Sequence, residues 1–104
     1  LESPDANVRA AAVRILLKLR VPQAASSLVA MMQDSRIEHR CMALWVVDQY
    51  RLAAIAPRLR DMVMNDPDPR ISRTAQQVLR RIERGNVEGQ STSAIHTQAK
   101  GLES

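Results

Sequence analysis

The residue types that carry most enzyme chemistry are scarce in this chain of 104 residues. His39 and His96 are its only histidines, and no spacing of histidine, cysteine and carboxylate resembles a zinc or iron site. Cys41, the only cysteine, lacks a convincing neighbouring base that would make it a nucleophile, and a small core residue is the better interpretation. Asp66 and Asp68 have the positions of helix caps. The sequence therefore predicts a protein that is not an enzyme and that holds no metal ion or cofactor.

Arginine is the most abundant charged residue of the chain. The chain has 15 basic and 11 acidic side chains, a net charge of +4, and only Lys18 and Lys100 are lysines. Residues 1–84 hold 14 basic and nine acidic side chains, a net charge of +5, whereas residues 85–104 have a net charge of −1. Solvated helices whose arginine stems cover apolar surface would explain this charge. An anionic partner, either a phosphate backbone or an acidic peptide, would explain it too.

Trp45 is the only tryptophan, and Tyr50 is the only other aromatic residue. Asp48 lies about one helical turn after Trp45. A tryptophan beside basic side chains can anchor a peptide or stack on a base. The competing interpretation is that it packs between helices, because an indole has a large area to bury.

A pattern that occurs three times must position these side chains. Its copies are residues 3–19, 34–50 and 66–82, and equivalent alanines are separated by 31 and then by 32 residues. This period is typical of stacked helical repeats, in which each unit covers its neighbour. The alanines are Ala12, Ala43 and Ala75.

Each copy contains an apolar stripe with steps of four, four and three residues, which lie on one face of an α-helix and must be covered. Two further helical stretches, residues 22–33 and 53–65, connect the copies, so the unit is a pair of helices. The predicted stripes are Val8, Ala12, Leu16 and Leu19, then His39, Ala43, Val47 and Tyr50, then Ile71, Ala75, Leu79 and Ile82.

Gly85 favours the end of the last helix. The polar, non-periodic residues that follow it predict flexibility. The expected organisation is a repeat domain over residues 1–84 and a polar flexible tail over residues 85–104.

The repeated pattern resembles the HEAT family, specifically the short HEAT-like repeats named after phycobilisome lyases. Their signature is an Asp-rich turn followed by a hydrophobic–Arg pair, Ala and Leu. The matching residues are Val8, Arg9, Ala12 and Leu16 in the first copy, and His39, Arg40, Ala43 and Val47 in the second. The third copy has Ser72 in place of the arginine. The resemblance implies an all-α fold, an α-solenoid of about two and a half helical hairpins with five helices.

In HEAT proteins an aspartate and an arginine of this kind pair between adjacent repeats and fix the stacking angle. The resemblance assigns Arg9, Asp34 and Arg40 to such a structural ladder. Partly buried bidentate pairs suit arginine better than lysine.

The helix that carries the signature also resembles the inner helix that lines the concave surface of HEAT proteins. The resemblance implies a non-catalytic scaffold that binds a protein or peptide there, with an acidic partner favoured by the arginines. The alternative is nucleic-acid binding through phosphate contacts, which would position the protein on the backbone without reading the base sequence. The predicted partner-binding residues are Arg14, Leu17, Lys18, Leu44, Trp45, Arg73, Arg80 and Arg81.

Enzymes with HEAT-like folds give weaker resemblances. The alkylpurine DNA glycosylases use concave Trp and Asp residues, and Trp45 with Asp48 is similar to that pair. Deoxyhypusine hydroxylases carry His–Glu pairs for iron, but here the order is Glu38-His39, and it occurs once. A chaperone role of the bilin-lyase type follows from the family alone.

No segment reaches the length of a membrane span, since the longest apolar run is residues 41–47. A single cysteine and the lack of a visible signal peptide make the cytosol the expected location. Repeats without a covering neighbour expose apolar faces, as in a piece cut from a longer solenoid. Self-association of the chain is therefore expected.

Overall fold

A computed structural model describes the backbone of residues 3–98 and the side chains of residues 3–85. Over this part, the chain consists of α-helices, one short 3-10 helix and turns, which confirms the all-α prediction. The helices are α1 (Pro4–Leu19), α2 (Gln23–Met32), α3 (Ile37–Tyr50), α4 (Ala56–Asn65) and α5 (Pro69–Gln98), and the 3-10 helix Ala53–Ile55 precedes α4.

The ends of α1 and α3 follow from local chemistry. The Ser3 hydroxyl accepts a hydrogen bond from the Ala6 amide at 3.3 Å, and Pro4 occupies the first turn, where its missing amide proton has no cost. Arg20 and Arg51 end α1 and α3 in the left-handed conformation, with φ of 58° and 49°. Their amides donate to carbonyls of the last turn, which would otherwise lack partners.

Helix α5 continues beyond the end predicted at Gly85. No positive φ occurs at a glycine within the described residues, so Gly85 does not form the left-handed cap expected of it. A helix interior tolerates an exposed glycine at a cost of about 1 kcal/mol. The polar flexible tail predicted over residues 85–104 stays a prediction, because the side chains after residue 85 and the backbone after residue 98 lie outside the described part.

The helices pack as neighbouring pairs around one continuous core. Helices α1 and α2 pack against α3, and α3 and α4 pack against α5. The apolar stripes of the second and third copies lie in this core, with Ala43, Val47, Ile71 and Ala75 at most 1% exposed. The largest fully buried side chains are Leu28, Met31, Leu44, Val46, Val47, Leu59, Ile71 and Val78.

The stripe predicted for the first copy is wrong. Val8 and Leu19 are 70% and 66% exposed, and Ala12 is exposed as well. Helix α1 instead buries Ala6, Ala10 and Val13, which lie on its opposite face. The physical reason is the position of α1: α2 and α3 are the helices that pack closely against it, and they cover the side that carries Ala6, Ala10 and Val13.

Candidate partner-binding surface

Arg40 connects the turn before α3 to the turn before α5. Its Nε and Nη2 donate to the two carboxylate oxygens of Asp66 at 2.8 and 3.1 Å. Its Nη1 donates to the carbonyls of Asp34 and Ser35, both at 3.0 Å. The Arg40 and Asp66 side chains are only 10% and 4% exposed, so this is a buried bidentate pair with additional hydrogen bonds.

The equivalent contact one repeat earlier is more exposed. Arg9 Nη1 donates to Asp34 Oδ2 at 2.8 Å, and the Arg9 side chain is 32% exposed. The same Nη1 lies 3.1 Å from His39 Nδ1. Because a guanidinium has no acceptor, this contact requires His39 Nδ1 to accept the hydrogen bond. The buried His39 Nε2 has no hydrogen-bond partner among the described residues.

The third repeat has no arginine at the ladder position. Ser72 stands there, and its hydroxyl donates to the Val63 carbonyl at 2.6 Å. This hydrogen bond connects α5 to α4, within the same helix pair, and so it does not take the place of a ladder contact between repeats.

Two aspartates in the turns before α3 and α5 each bind the arginine two residues later. The side chain and backbone amide of Arg36, together with Arg9, lower the pKa of Asp34 well below its ordinary value. The side chain and backbone amide of Arg70 lower the pKa of Asp68 to about 2. Both aspartates are therefore charged at neutral pH and cap the turns that enter the repeated helices.

On the other side of the repeated helices, Trp45 meets a cation. The Arg14 guanidinium of α1 lies 5.7 Å from the Trp45 ring centroid, a cation–π distance. Trp45 is nevertheless 53% exposed. The indole therefore lies on the surface of α3 and is not packed between helices.

A shallow groove next to Trp45 separates α3 from α5. Asp48 accepts a hydrogen bond from Arg81 Nη1 at 2.7 Å across this groove, so the two helices are joined by an ion pair at the surface. The groove has an apolar floor and polar walls. It is lined by Cys41, Leu44, Trp45, Asp48, Thr74, Gln77, Val78 and Arg81.

Of the predicted partner-binding residues, the structure brings together Arg14, Trp45 and Arg81. Leu44 is fully buried and belongs to the floor of the groove, so it has no exposed surface of its own to offer a partner, which corrects its assignment as an exposed binding residue. Leu17 is partly buried against the core and lines a separate apolar pocket with Leu28 and Ile55. Lys18 is exposed near the end of α1.

Arg73 and Arg80 are exposed but lie on a different face. Arg73 is nine residues from the buried Ile82, and Arg80 is nine residues from the buried Ile71. Nine residues correspond to about two and a half helical turns, or half a rotation. Both arginines therefore point away from α3 and α4, and neither lines the groove beside Trp45. Their assignment to the partner-binding surface stays a prediction.

The geometry agrees with a comparison of the sequence with known families. The model for HEAT repeats matches residues 1–82. The chain belongs to the HEAT-repeat family. No curated protein and no solved structure matches it.

HEAT repeats generally act as protein-interaction scaffolds. In this HEAT-repeat chain, no group of three or more His, Cys, Asp or Glu side chains that could hold a metal ion occurs within the described part. No helix in the same part is long and apolar enough to cross a membrane.

Sequence reasoning missed three functional partners. The sequence predicts a helix cap at Asp66, whereas the structure shows it as the buried acceptor for Arg40. The sequence predicts His39 in the core stripe but gives no sign of its contact with Arg9. The pairing of Asp48 with Arg81 spans 33 residues, and the only available signal was their nearly equivalent positions on adjacent repeats.

Proposed function

We propose that this HEAT-repeat chain is a non-catalytic scaffold that binds an extended protein segment across the side of α1, α3 and α5 that carries Trp45. This surface, here called the Trp45 surface, consists of Arg14, Trp45, Asp48, Thr74, Gln77 and Arg81.

The exposure of Trp45 carries the proposal. Tryptophan gains more from burial than almost any other side chain and is enriched at binding hot spots. A chain with one tryptophan that leaves it 53% exposed, beside a groove with an apolar floor, has an anchor available for a partner. An apolar partner side chain in the groove would cover the indole.

The charges favour a partner with an acidic group. Arg14 lies over the indole and presents its guanidinium next to the groove. Arg81 keeps part of its hydrogen-bonding capacity after pairing with Asp48, since a guanidinium has five donors. An acidic side chain next to the apolar anchor would meet one of these two cations.

Nucleic-acid binding by the same surface has less support. Arg73 and Arg80 lie on another face, and Arg81 is paired with Asp48. Few positively charged side chains are therefore left on the Trp45 surface. The affinity for a nucleic acid depends on how many phosphates such side chains neutralise. The finer likeness to phycobilisome-lyase repeats, and with it a chaperone role, stays a hypothesis based on resemblance.

A photocrosslinking side chain placed at position 45 of the protein in its own cells tests the proposal. The control carries the same group at Met64, which is 79% exposed on α4. We expect protein adducts from position 45 and none of the same mass from position 64. Adducts that disappear on nuclease treatment would support nucleic acid instead.

The partner identified in this way is then measured with purified proteins. Trp45→Ala should raise Kd about tenfold or more, as for a hot-spot residue. Arg80→Ala, on the other face of α5, should leave Kd nearly unchanged. Equal effects of the two substitutions, or identical adducts from both crosslinking positions, would contradict a binding role for the Trp45 surface.

A further inference from the structure

Helix α1 presents an apolar face that nothing covers within residues 3–85. This face, here called the α1 face, consists of Val8, Ala12, Ile15 and Leu19. Val8, Ile15 and Leu19 are 70%, 58% and 66% exposed, which makes them three of the most exposed large apolar residues described. Their steps of four, three and four residues are those of the seam between two packed helices.

The equivalent positions of the other two repeats are packing positions. In α3 they are His39, Ala43, Val46 and Tyr50, and in α5 they are Ile71, Ala75, Val78 and Ile82. Seven of these eight residues are at most 3% exposed, and Tyr50 packs against the core. The α1 face thus has the composition of a buried face, although no described residue covers it.

The opposite end of the stack has a different character. The side of α1 that is covered by the next repeat carries Ala6, Ala10, Val13 and Leu17, and the equivalent residues of α5 are Pro69, Arg73, Gln76 and Arg80. All four are exposed. Stacking one copy on another from head to tail would bury Arg73 and Arg80 against apolar side chains, which is unfavourable for unpaired charges.

We propose that the α1 face binds the α1 face of a second copy of this chain, with the two helices antiparallel around a two-fold axis. In this arrangement Val8 of one copy lies against Leu19 of the other, and Ala12 lies against Ile15. Each layer combines a smaller with a larger side chain, which allows close packing.

Charge complementarity supports the antiparallel direction. Asp5 lies in the first turn of α1, whereas Lys18 lies in the last turn and Arg20 caps the helix. Antiparallel pairing brings the acidic end of each helix to the basic end of the other, and it also aligns the helix dipoles favourably. Parallel pairing would place like charges together at both ends.

Sedimentation equilibrium of the full chain over a range of concentrations tests the proposal. We expect a monomer–dimer equilibrium without larger species, and Ile15→Glu should weaken dimerisation about tenfold or more. Met64→Glu makes the same type of change at an exposed site on α4 and should leave the dimer unchanged. Circular dichroism checks that both variants fold, and Leu19→Glu replaces Ile15→Glu if that variant does not.

Disulfide trapping tests the register. In a Cys41→Ser background, a mixture of Ala12→Cys and Ile15→Cys chains should give the mixed dimer in preference to either symmetric one. A monomer at all concentrations, a mass that grows beyond the dimer, or a dimer that survives the charge substitution on the α1 face would overturn the proposal. Trapping without preference for the mixed pair would overturn the register and the two-fold arrangement with it.

Discussion

Arg40 and Asp66 form a buried, two-pronged ion pair across 26 residues of sequence, and the same guanidinium also holds the carbonyls of Asp34 and Ser35. A single side chain thus joins the turn before α3 to the turn before α5. A change in the stacking of the two repeats would break several of these hydrogen bonds at once. We propose on this basis that Arg40 fixes the angle between the second and third repeats.

Arg40→Lys should lower the thermal midpoint by about 10 °C, which corresponds to about 2 kcal/mol for a domain of this size. An ammonium group cannot bind both Asp66 oxygens and two carbonyls in the geometry of the guanidinium. Thermal unfolding followed by circular dichroism measures the change. Arg36→Lys is the control, since Arg36 is 55% exposed and a lysine there keeps the positive charge and the backbone hydrogen bond to Asp34. Equal midpoints for Arg40→Lys and wild type would remove the ladder from the explanation of stacking.

Acid should destabilise the fold through Asp34 and Asp68. Their folded pKa values lie below the ordinary value of 3.8, with that of Asp68 at about 2. The unfolded chain therefore binds protons first as the pH falls, and the stabilisation, complete above the unfolded pKa, is lost as the pH decreases through the folded pKa. We expect a thermal midpoint that begins to fall near pH 4 and continues to fall toward pH 2.

The variant Asp68→Asn isolates one of these groups. It should have a lower midpoint than wild type at neutral pH and a shallower loss between pH 4 and pH 2, because the charged hydrogen bonds to Arg70 are already weakened. Parallel curves for the two proteins in acid would show that Asp68 does not contribute to the pH dependence.

Leu44 and Trp45 are adjacent in sequence but should differ sharply in their effect on stability. Leu44 is fully buried, so Leu44→Ala should cost about 2–5 kcal/mol. Trp45 is half-exposed and has the cation–π contact with Arg14. Trp45→Ala should therefore cost about 1 kcal/mol or less. Urea unfolding measures both, and a cost for Trp45→Ala as large as that for Leu44→Ala would assign the indole to the core.

The limits of most helices and two of the three buried stripes could be predicted because caps and helical periodicity are local properties of the chain. The exposure of Val8 and Leu19 could not, because an apolar stripe indicates a face to be covered and does not indicate whether a neighbour is present. The separation of Arg73 and Arg80 from Trp45 depends on the rotation of α5 about its axis. That rotation is set by which α5 residues pack against α3 and α4, and it is a tertiary property.

Replacing Arg51 by glycine should stabilise the protein by about 0.5–1 kcal/mol. Arg51 ends α3 with φ 49° and ψ 55°. In this left-handed conformation the Cβ of an L-amino acid is crowded, whereas glycine has no Cβ. Its amide donates to the carbonyls of Val47 and Asp48, and glycine would keep both bonds because they involve only the backbone.

The matched control for Arg51→Gly is Gln49→Gly, two residues earlier in the same turn and also exposed. There the backbone is helical, so glycine relieves no strain and only adds freedom to the unfolded chain, at a cost of about 1 kcal/mol. Opposite shifts of the thermal midpoint for the two glycines would identify the left-handed cap as a point of strain. Shifts of the same sign would mean that Arg51 contributes contacts outweighing its backbone conformation. Arg20→Gly, at φ 58° one repeat earlier, should behave like Arg51→Gly, because the two residues end equivalent helices in the same way.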